Sequence, residues 1–236
     1  MARTLIELCQ DLTARIGLPR PENIISGEGE LPPQYLGLLY ETAKDLSRRH
    51  DWQVLERQAS FTTVSGETQA TIPVAWPDLR RVKNRTMINT TKVRRLTPIN
   101  ATQHAAIRLN NVPNLGFYYR VSGNTLLLPN NADSGDSISF EYISNYWCTS
   151  ADGATRKAIP TSDADIILLD DEALILGTKW RWKKENSLGY GEDFNDYEKL
   201  VQELIGSDVE REAFSLGAKL DNALVEQRYE FVVPST

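Results

Sequence analysis

The chain has 236 residues, enough for one large domain or two small ones, and its 41% hydrophobic and 25% charged content is that of a soluble globular protein. Two cysteines and two histidines argue against a Cys/His metal cluster, and acids interrupt the apolar runs that could otherwise cross a membrane. The net charge of −6 conceals an uneven distribution: −2 over residues 1–59, +5 over residues 60–160 and −9 over residues 161–236. An acidic end beside a basic middle suits self-assembly or a head-to-tail partner at least as well as nucleic acid.

Thr4 followed by Glu7 is a capping-box signature, and Leu5, Leu8, Cys9, Leu12 and Ile16 then recur at helical spacing until Gly17 and Pro19. The spacing predicts a first helix over Thr4–Ile16. Cys9 and Cys148 read as buried, reduced thiols of a cytosolic protein, since Met1–Leu12 carries Glu7 and Asp11 where a signal peptide would be apolar. Pro19–Leu31 reads as an exposed loop. Pro32 and Pro33 suit a first helical turn, and Tyr35, Leu36, Leu39, Ala43 and Leu46 mark the inner face of a second helix ending near Arg49–Asp51. Gly37 inside it costs about 1 kcal/mol against Ala unless something packs close.

From Trp52 to Trp147 the pattern becomes short β-rich runs separated by turns. Phe61–Val64 and Gln69–Val74 flank Ser65-Gly66-Glu67 as a hairpin, and Leu79–Met87 and Lys92–Leu96 follow. Ala101–Leu109 reads as a short helix. Phe117–Val121, Ser122-Gly123-Asn124 and Thr125–Leu128 give the strongest hairpin signal, and Ser137–Tyr146 is a half-buried strand. Antiparallel hairpins without long intervening helices point to a small sandwich or barrel-like sheet.

Trp147–Ser162 reads as polar linker. The stretch Asp165–Asn186 then opens on Asp165, Asp170, Asp171 and Glu172 and closes on Lys179, Arg181, Lys183 and Lys184, an order that complements a helix macrodipole. It reads as a central helix of about 20 residues and about 30 Å, with Trp180 and Trp182 near its end. Phe194, Tyr197, Leu200, Val201, Leu204 and Ile205 mark a further amphipathic helix, Asp193–Ile205, with Asp208–Leu216 as an extension. In the last segment Tyr229, Phe231 and Val233 alternate, which suits an extended tail added to a partner's surface. The expected fold class is α+β: a helical layer from residues 1–57 and 160–216, an inserted antiparallel β domain at 58–159, and an extended tail at 217–236.

No P-loop, dinucleotide glycine pattern, nucleophile elbow or His-Glu-x-x-His is present, so no catalytic, metal or cofactor site is expected. Asp170 and Asp171, one apart, cannot share a helical face, and Glu192-Asp193 reads as another solvated edge. The sharpest local anomaly is Arg80, Arg81, Lys83, Arg85, Lys92, Arg94 and Arg95, seven bases with no acid between Leu79 and Leu96. It reads either as a phosphate-contacting strip or as strand faces balanced by acids of the C-terminal region or of another subunit. Without aromatic stacking platforms it is a poor single-strand site.

Two stretches carry a resemblance. Ala70–Val82 (ATIPVAWPDLRRV) and Tyr119–Pro129 (YRVSGNTLLLP), placed between two leading helices and an acid-led helix pair, resemble the head–tail adaptor (connector, or tail tubular) proteins of short-tailed double-stranded DNA bacteriophages. The resemblance covers roughly Met1–Ile205. It implies a non-enzymatic virion protein, made in the host bacterial cytoplasm, that forms a homo-oligomeric ring, commonly of twelve copies, beneath the portal protein ring. Such a ring extends the channel for double-stranded DNA, which passes without specific binding, and attaches tail nozzle or spike/fibre proteins. The resemblance also implies a C-terminal segment reaching along the portal, which makes Arg228, Tyr229, Phe231 and Val233 candidate portal contacts. Arg80, Arg81, Arg94 and Arg95 would then meet Asp170 and Asp171 of a neighbouring copy, with Trp180 and Trp182 in the ring wall. A nucleic-acid-binding module using Arg80–Arg95 is the alternative.

Overall fold

The computed structural model describes residues 3–26, 31–69, 78–83, 86–110, 118–123, 125–132 and 134–213, with the backbone alone at 31, 32, 130–132 and 209–213. The tail from Gly217, including Arg228, Tyr229, Phe231 and Val233, lies outside the described residues, as do Arg85 and residues 70–77. Helix α1 (Leu5–Ile16) starts on the expected capping box: the Glu7 amide donates to Thr4 Oγ1 at 3.4 Å and the Thr4 amide to Glu7 Oε2 at 3.0 Å. It stops at Gly17, whose φ of +74° is open to glycine and strained for other residues. Helix α2 (Leu31–Arg49) carries the buried Tyr35, Leu39, Ala43 and Leu46.

Chain entry to the β region is fixed by Trp52, whose indole N–H donates to Leu46 O at 2.7 Å. Strands β1 (Glu56–Thr62), β2 (Gly66–Gln69), β3 (Leu79–Val82), β4 (Ile88–Asn89), β5 (Arg94–Arg95) and β6 (Thr97–Pro98) precede α3 (Ala101–Leu109), which has its own Asn100/Gln103 capping box. Strands β7 (Tyr118–Ser122), β8 (Thr125–Ala132) and β9 (Ser137–Ser144) complete two sheets. The first has the order β1-β9-β4-β5 with β3 also on β9; the second has the order β2-β8-β7-β6. The β7–β8 hairpin is the one read from sequence, with Ser122 opposite Thr125 and Gly123 at φ +57°. Of the hairpin expected around Ser65–Glu67, residues 70–74 of the second arm lie outside the described residues; β1 pairs along its length with β9, and β2 pairs with β8. The β6–β7 pair is parallel, unlike the rest.

The two sheets enclose one core of Met87, Leu96, Tyr119, Leu126, Leu128, Ile138, Phe140 and Tyr142, so the β region is a sandwich. Strand β9 supplies Ile138, Phe140 and Tyr142 to that core. Its next residue, Ile143, joins a second core together with α1, α2 and the helices that follow.

Residues 147–162 are more ordered than a linker. Strands β10 (Cys148–Thr149), β11 (Arg156–Lys157) and β12 (Ile166–Ile167) form a small sheet, and Ile166 bridges to Thr4 ahead of α1. Helix α4 (Asp171–Glu185) therefore starts later than the acid run suggests and is about 22 Å long. Asp170 is its N-cap, accepting the Ala173 amide at 2.9 Å, whereas Asp165 is buried behind the sheet. Helix α5 (Gly191–Ala213) runs through Gly206 without a break.

Helices α2, α4 and α5 meet at Gly177. A Cβ there would overlap Thr42 Cγ2 and lie 2.9 Å from Tyr197 Cε2. Around this contact, Asp45 accepts from Arg49 at 3.1 Å, Arg181 at 3.0 Å and the Tyr197 hydroxyl at 3.0 Å. Asp193 pairs with Lys179 and Lys183, and Asp165 accepts from Lys157 at 2.8 Å and the Thr161 and Ser162 amides. Burial pushes each of these three carboxyls up, and their cations and hydrogen bonds more than reverse it, so all three end below the usual carboxylate range.

The space around Gly177 and Gly37 sets opposite expectations for the two positions. Gly177→Ala should lose about 1–2 kcal/mol, the strain of overpacking less the helix-propensity gain. Gly37→Ala, where nothing lies within 4 Å, should gain about 0.5–1 kcal/mol. Urea unfolding midpoints moving the same way for both would contradict the packing. A lowered folded pKa gives stabilisation that is full above the unfolded value of about 3.9 and is lost as pH falls through the folded values. The melting temperature should thus hold from neutral pH to about 5 and drop below about 4, less steeply in Asp45→Asn. Asp171, raised by burial, opposes this trend in part. A level melting temperature down to about pH 2 would show that these carboxylates do not stabilise the fold.

Candidate assembly surfaces

The basic segment begins as a joint between helices and sandwich. Arg80, on β3, donates to Ser47 O and, at 3.3 Å, to Arg48 O, carbonyls at the C-terminal end of α2. A cation there complements the helix macrodipole and satisfies carbonyls left open by the last turn. Burial and the neighbouring Arg48 lower the Arg80 pKa. Asp51 pairs with Arg81 and lies 3.7 Å from Arg80, and Glu56 pairs with Lys83. Beneath this joint, the buried Asp78 accepts from Arg57 at 2.9 Å, the Tyr142 hydroxyl at 2.9 Å and the Ser144 hydroxyl at 3.3 Å. Burial, followed by the nearby Asp78, pushes Tyr142 up to about 12.

Further along, Lys92 reaches Asp136 at 2.9 Å, and Asp136 also accepts from Asn89 at 2.8 Å. Burial works against the Asp136 carboxylate, but Lys92 and Asn89 hold its pKa low. Arg94 and Arg95 form β5 at the end of the first sheet, Arg94 exposed and Arg95 half-buried. The segment thus divides. Arg80 and Arg81 fasten the two cores of one chain together, while Arg94 lies on the outside of the sandwich.

The acid run at α4 divides as well. Asp170 caps the helix, Asp171 faces Arg3 at 3.5 Å, and Glu172 takes Arg15 at 2.8 Å, which ties α4 to α1. Trp182 packs half-buried against the helical core. Trp180 contacts Tyr190, Phe194 and Tyr197, with ring centroids 6.2, 5.2 and 6.4 Å away, and the Arg181 guanidinium lies 4.4 Å from its ring. Both indole N–H groups are buried without a hydrogen-bond acceptor among the described residues.

Each histidine meets one acid. His50 Nε2 lies 3.1 Å from Asp208 Oδ2, and His104, buried, faces Glu67. A shallow groove of about 400 Å³ beside α1 holds Glu7 and Asp11 with Gln10 and Arg20, and includes neither histidine. Among the described residues no group of three or more His, Cys, Asp or Glu could hold a metal ion. Sequence reasoning missed Gly177, Asp45 and Asp78. A glycine amid an apolar helix is a signal for the first; the two aspartates are legible only once α2, α4, α5 and β9 are in place.

A comparison with proteins of curated function returns no match. The family profile described as SU10 adaptor protein matches residues 3–220, a span that includes every helix and strand described above. The chain belongs to the SU10 adaptor protein family, a family of bacteriophage head–tail adaptors.

Proposed function

We propose that this chain is the structural adaptor that joins a phage head to its tail, assembling as a closed ring, of twelve copies, beneath the portal. The observation that carries the reading is the family match across both the helical layer and the sandwich. The ring would extend the DNA channel without gripping its cargo and would present a face to tail nozzle or spike/fibre proteins. Residues 1–57 and 160–216 would form the wall and residues 58–159 the part facing neighbouring components; the two separate cores support that division. Residues 217–236 would reach along the portal through Arg228, Tyr229, Phe231 and Val233. Trp180, Trp182, Asp170 and Asp171 would lie near the seam between copies, together with Arg94 and Arg95. The intramolecular bonds of Arg80 and Arg81 leave them a supporting role there.

The alternative is a nucleic-acid-binding module. The engagement of Arg80, Arg81, Lys83 and Lys92 with Asp51, Glu56 and Asp136 supports the adaptor reading over a phosphate-binding strip. A conduit should not bind passing duplex tightly, so the basic segment is placed away from the lumen.

The test is to mix the full chain with the portal ring of the same genome and follow the mixture by sizing chromatography and negative-stain electron microscopy. The portal should lengthen by one ring layer, and Arg94→Glu should impair that assembly. A folded chain that leaves the portal unchanged, yet is retained on duplex DNA until Arg94→Glu abolishes retention, would favour the alternative.

A further inference from the structure

Strand β1 pairs over seven residues with β9, and its other edge has no partner among the described residues. The outer strands β5 and β6 have only two residues each. The Thr63 amide donates to Asp136 O, on the β9 side, at 2.8 Å. By the two-residue repeat, the amides and carbonyls of Gln58, Ser60 and Thr62 point the other way, to the open edge. Such edges invite strand pairing, and proteins ordinarily blunt them with charge, proline or a bulge. Gln58–Thr62 has no charge and no proline, and its ladder to β9 runs without a register shift. The inner face of β1 is incompletely covered as well. Ala59 and Phe61 pack on the sandwich core, Phe61 edge-on to Phe140 at 6.2 Å, yet both are only half-buried.

The end of α5 lies beside the start of this strand. Asp208 accepts the Gln53 amide at 3.1 Å and faces His50 Nε2 at 3.1 Å, and the Gln53 side chain donates to Asp208 O at 2.9 Å. Gln53 opens the short 3₁₀ turn Gln53–Leu55, which runs directly into β1 at Glu56. Residues 214–236 follow α5, outside the described residues. Within them, Arg228–Val233 has neither glycine nor proline and alternates Tyr229, Phe231 and Val233, the pattern of a strand with one apolar face. Residues 70–77 and 111–117, also outside the described residues, both carry proline, and residues 27–30 are Gly-Glu-Gly-Glu. The connecting residues 214–228 span at most about 50 Å when extended, more than the ~23 Å length of β1.

We infer that Arg228–Val233 adds as a strand to the open edge of β1 in its own chain, with Tyr229, Phe231 and Val233 covering Ala59 and Phe61. Strand addition takes its affinity from main-chain hydrogen bonds and its specificity from alternate side chains. Arg228 and Glu230 then fall on the outer face with the exposed Gln58, Ser60 and Thr62. The short tether raises the effective concentration at the chain's own edge over that of a second copy. The dock stands independently of the ring reading. Portal contact through the same side chains would follow their release from β1.

Residue-resolved amide hydrogen exchange of the full chain tests it. The Gln58, Ser60 and Thr62 amides should exchange about a hundredfold more slowly than in the double variant Phe231→Asp/Val233→Asp. The Ala59 and Phe61 amides, directed at β9, should stay protected in both chains, which reports an intact sandwich. Val232→Asp, on the outer face of the added strand, should leave the edge protection in place. Equal exchange of the three edge amides in the parent chain and the double variant would overturn the inference. Protection that disappears on dilution would also overturn it, by assigning the added strand to a second copy.

Discussion

Strand β9 is shared by two hydrophobic cores, and the relative placement of the helical layer and the sandwich depends on it. Ile138, Phe140 and Tyr142 alternate into the sandwich, then Ile143 turns into the helical core beside Trp147 and Cys148. Each fully buried side chain of this size contributes about 1.5–3 kcal/mol, so neither core can release the strand without losing several. The polar joint follows the same line. Asp78 takes the hydroxyls of Tyr142 and Ser144 from β9, and β3, which pairs with β9, carries Arg80 to the end of α2. Packing and ion pairing thus fix one orientation between the two bodies.

That orientation also sets which charges meet within the chain. Asp45, Asp165 and Asp193 hold cations within the helical layer, and Asp51 and Glu56 hold the near half of the basic segment. Apolar side chains such as Val93, Leu109 and Leu188 lie exposed on the outside. Surfaces that bind neighbours must stay unsatisfied until assembly, while the subunit holds its shape without them.

Local signals in the sequence specified local structure well. The Thr4/Glu7 cap, the Gly17 stop, the Gly123 hairpin and the apolar faces of α1, α2 and α5 all act within a few residues. What was not legible depended on distant partners. The start of α4 moved to Asp170 because Ile166 and Ile167 are drawn into a sheet with Cys148 and Thr149. The partners of β1 and β2, the distant β9 and β8, were likewise not readable from the turn at Ser65–Glu67. For the candidate surfaces, the basic segment was visible as composition, but its division between joint and exterior required the fold. The resemblance in Ala70–Val82 and Tyr119–Pro129 named the family correctly; residues 70–77 of the first lie outside the described residues.

The most direct measurement is a cryo-electron microscopy reconstruction of the head–tail junction in the intact phage particle. The account predicts a closed ring of this chain directly beneath the portal, the helical layer and sandwich in the orientation set by β9, and the basic segment turned away from the DNA. Density for this chain elsewhere in the particle, or a junction built without it, would contradict the account at its centre.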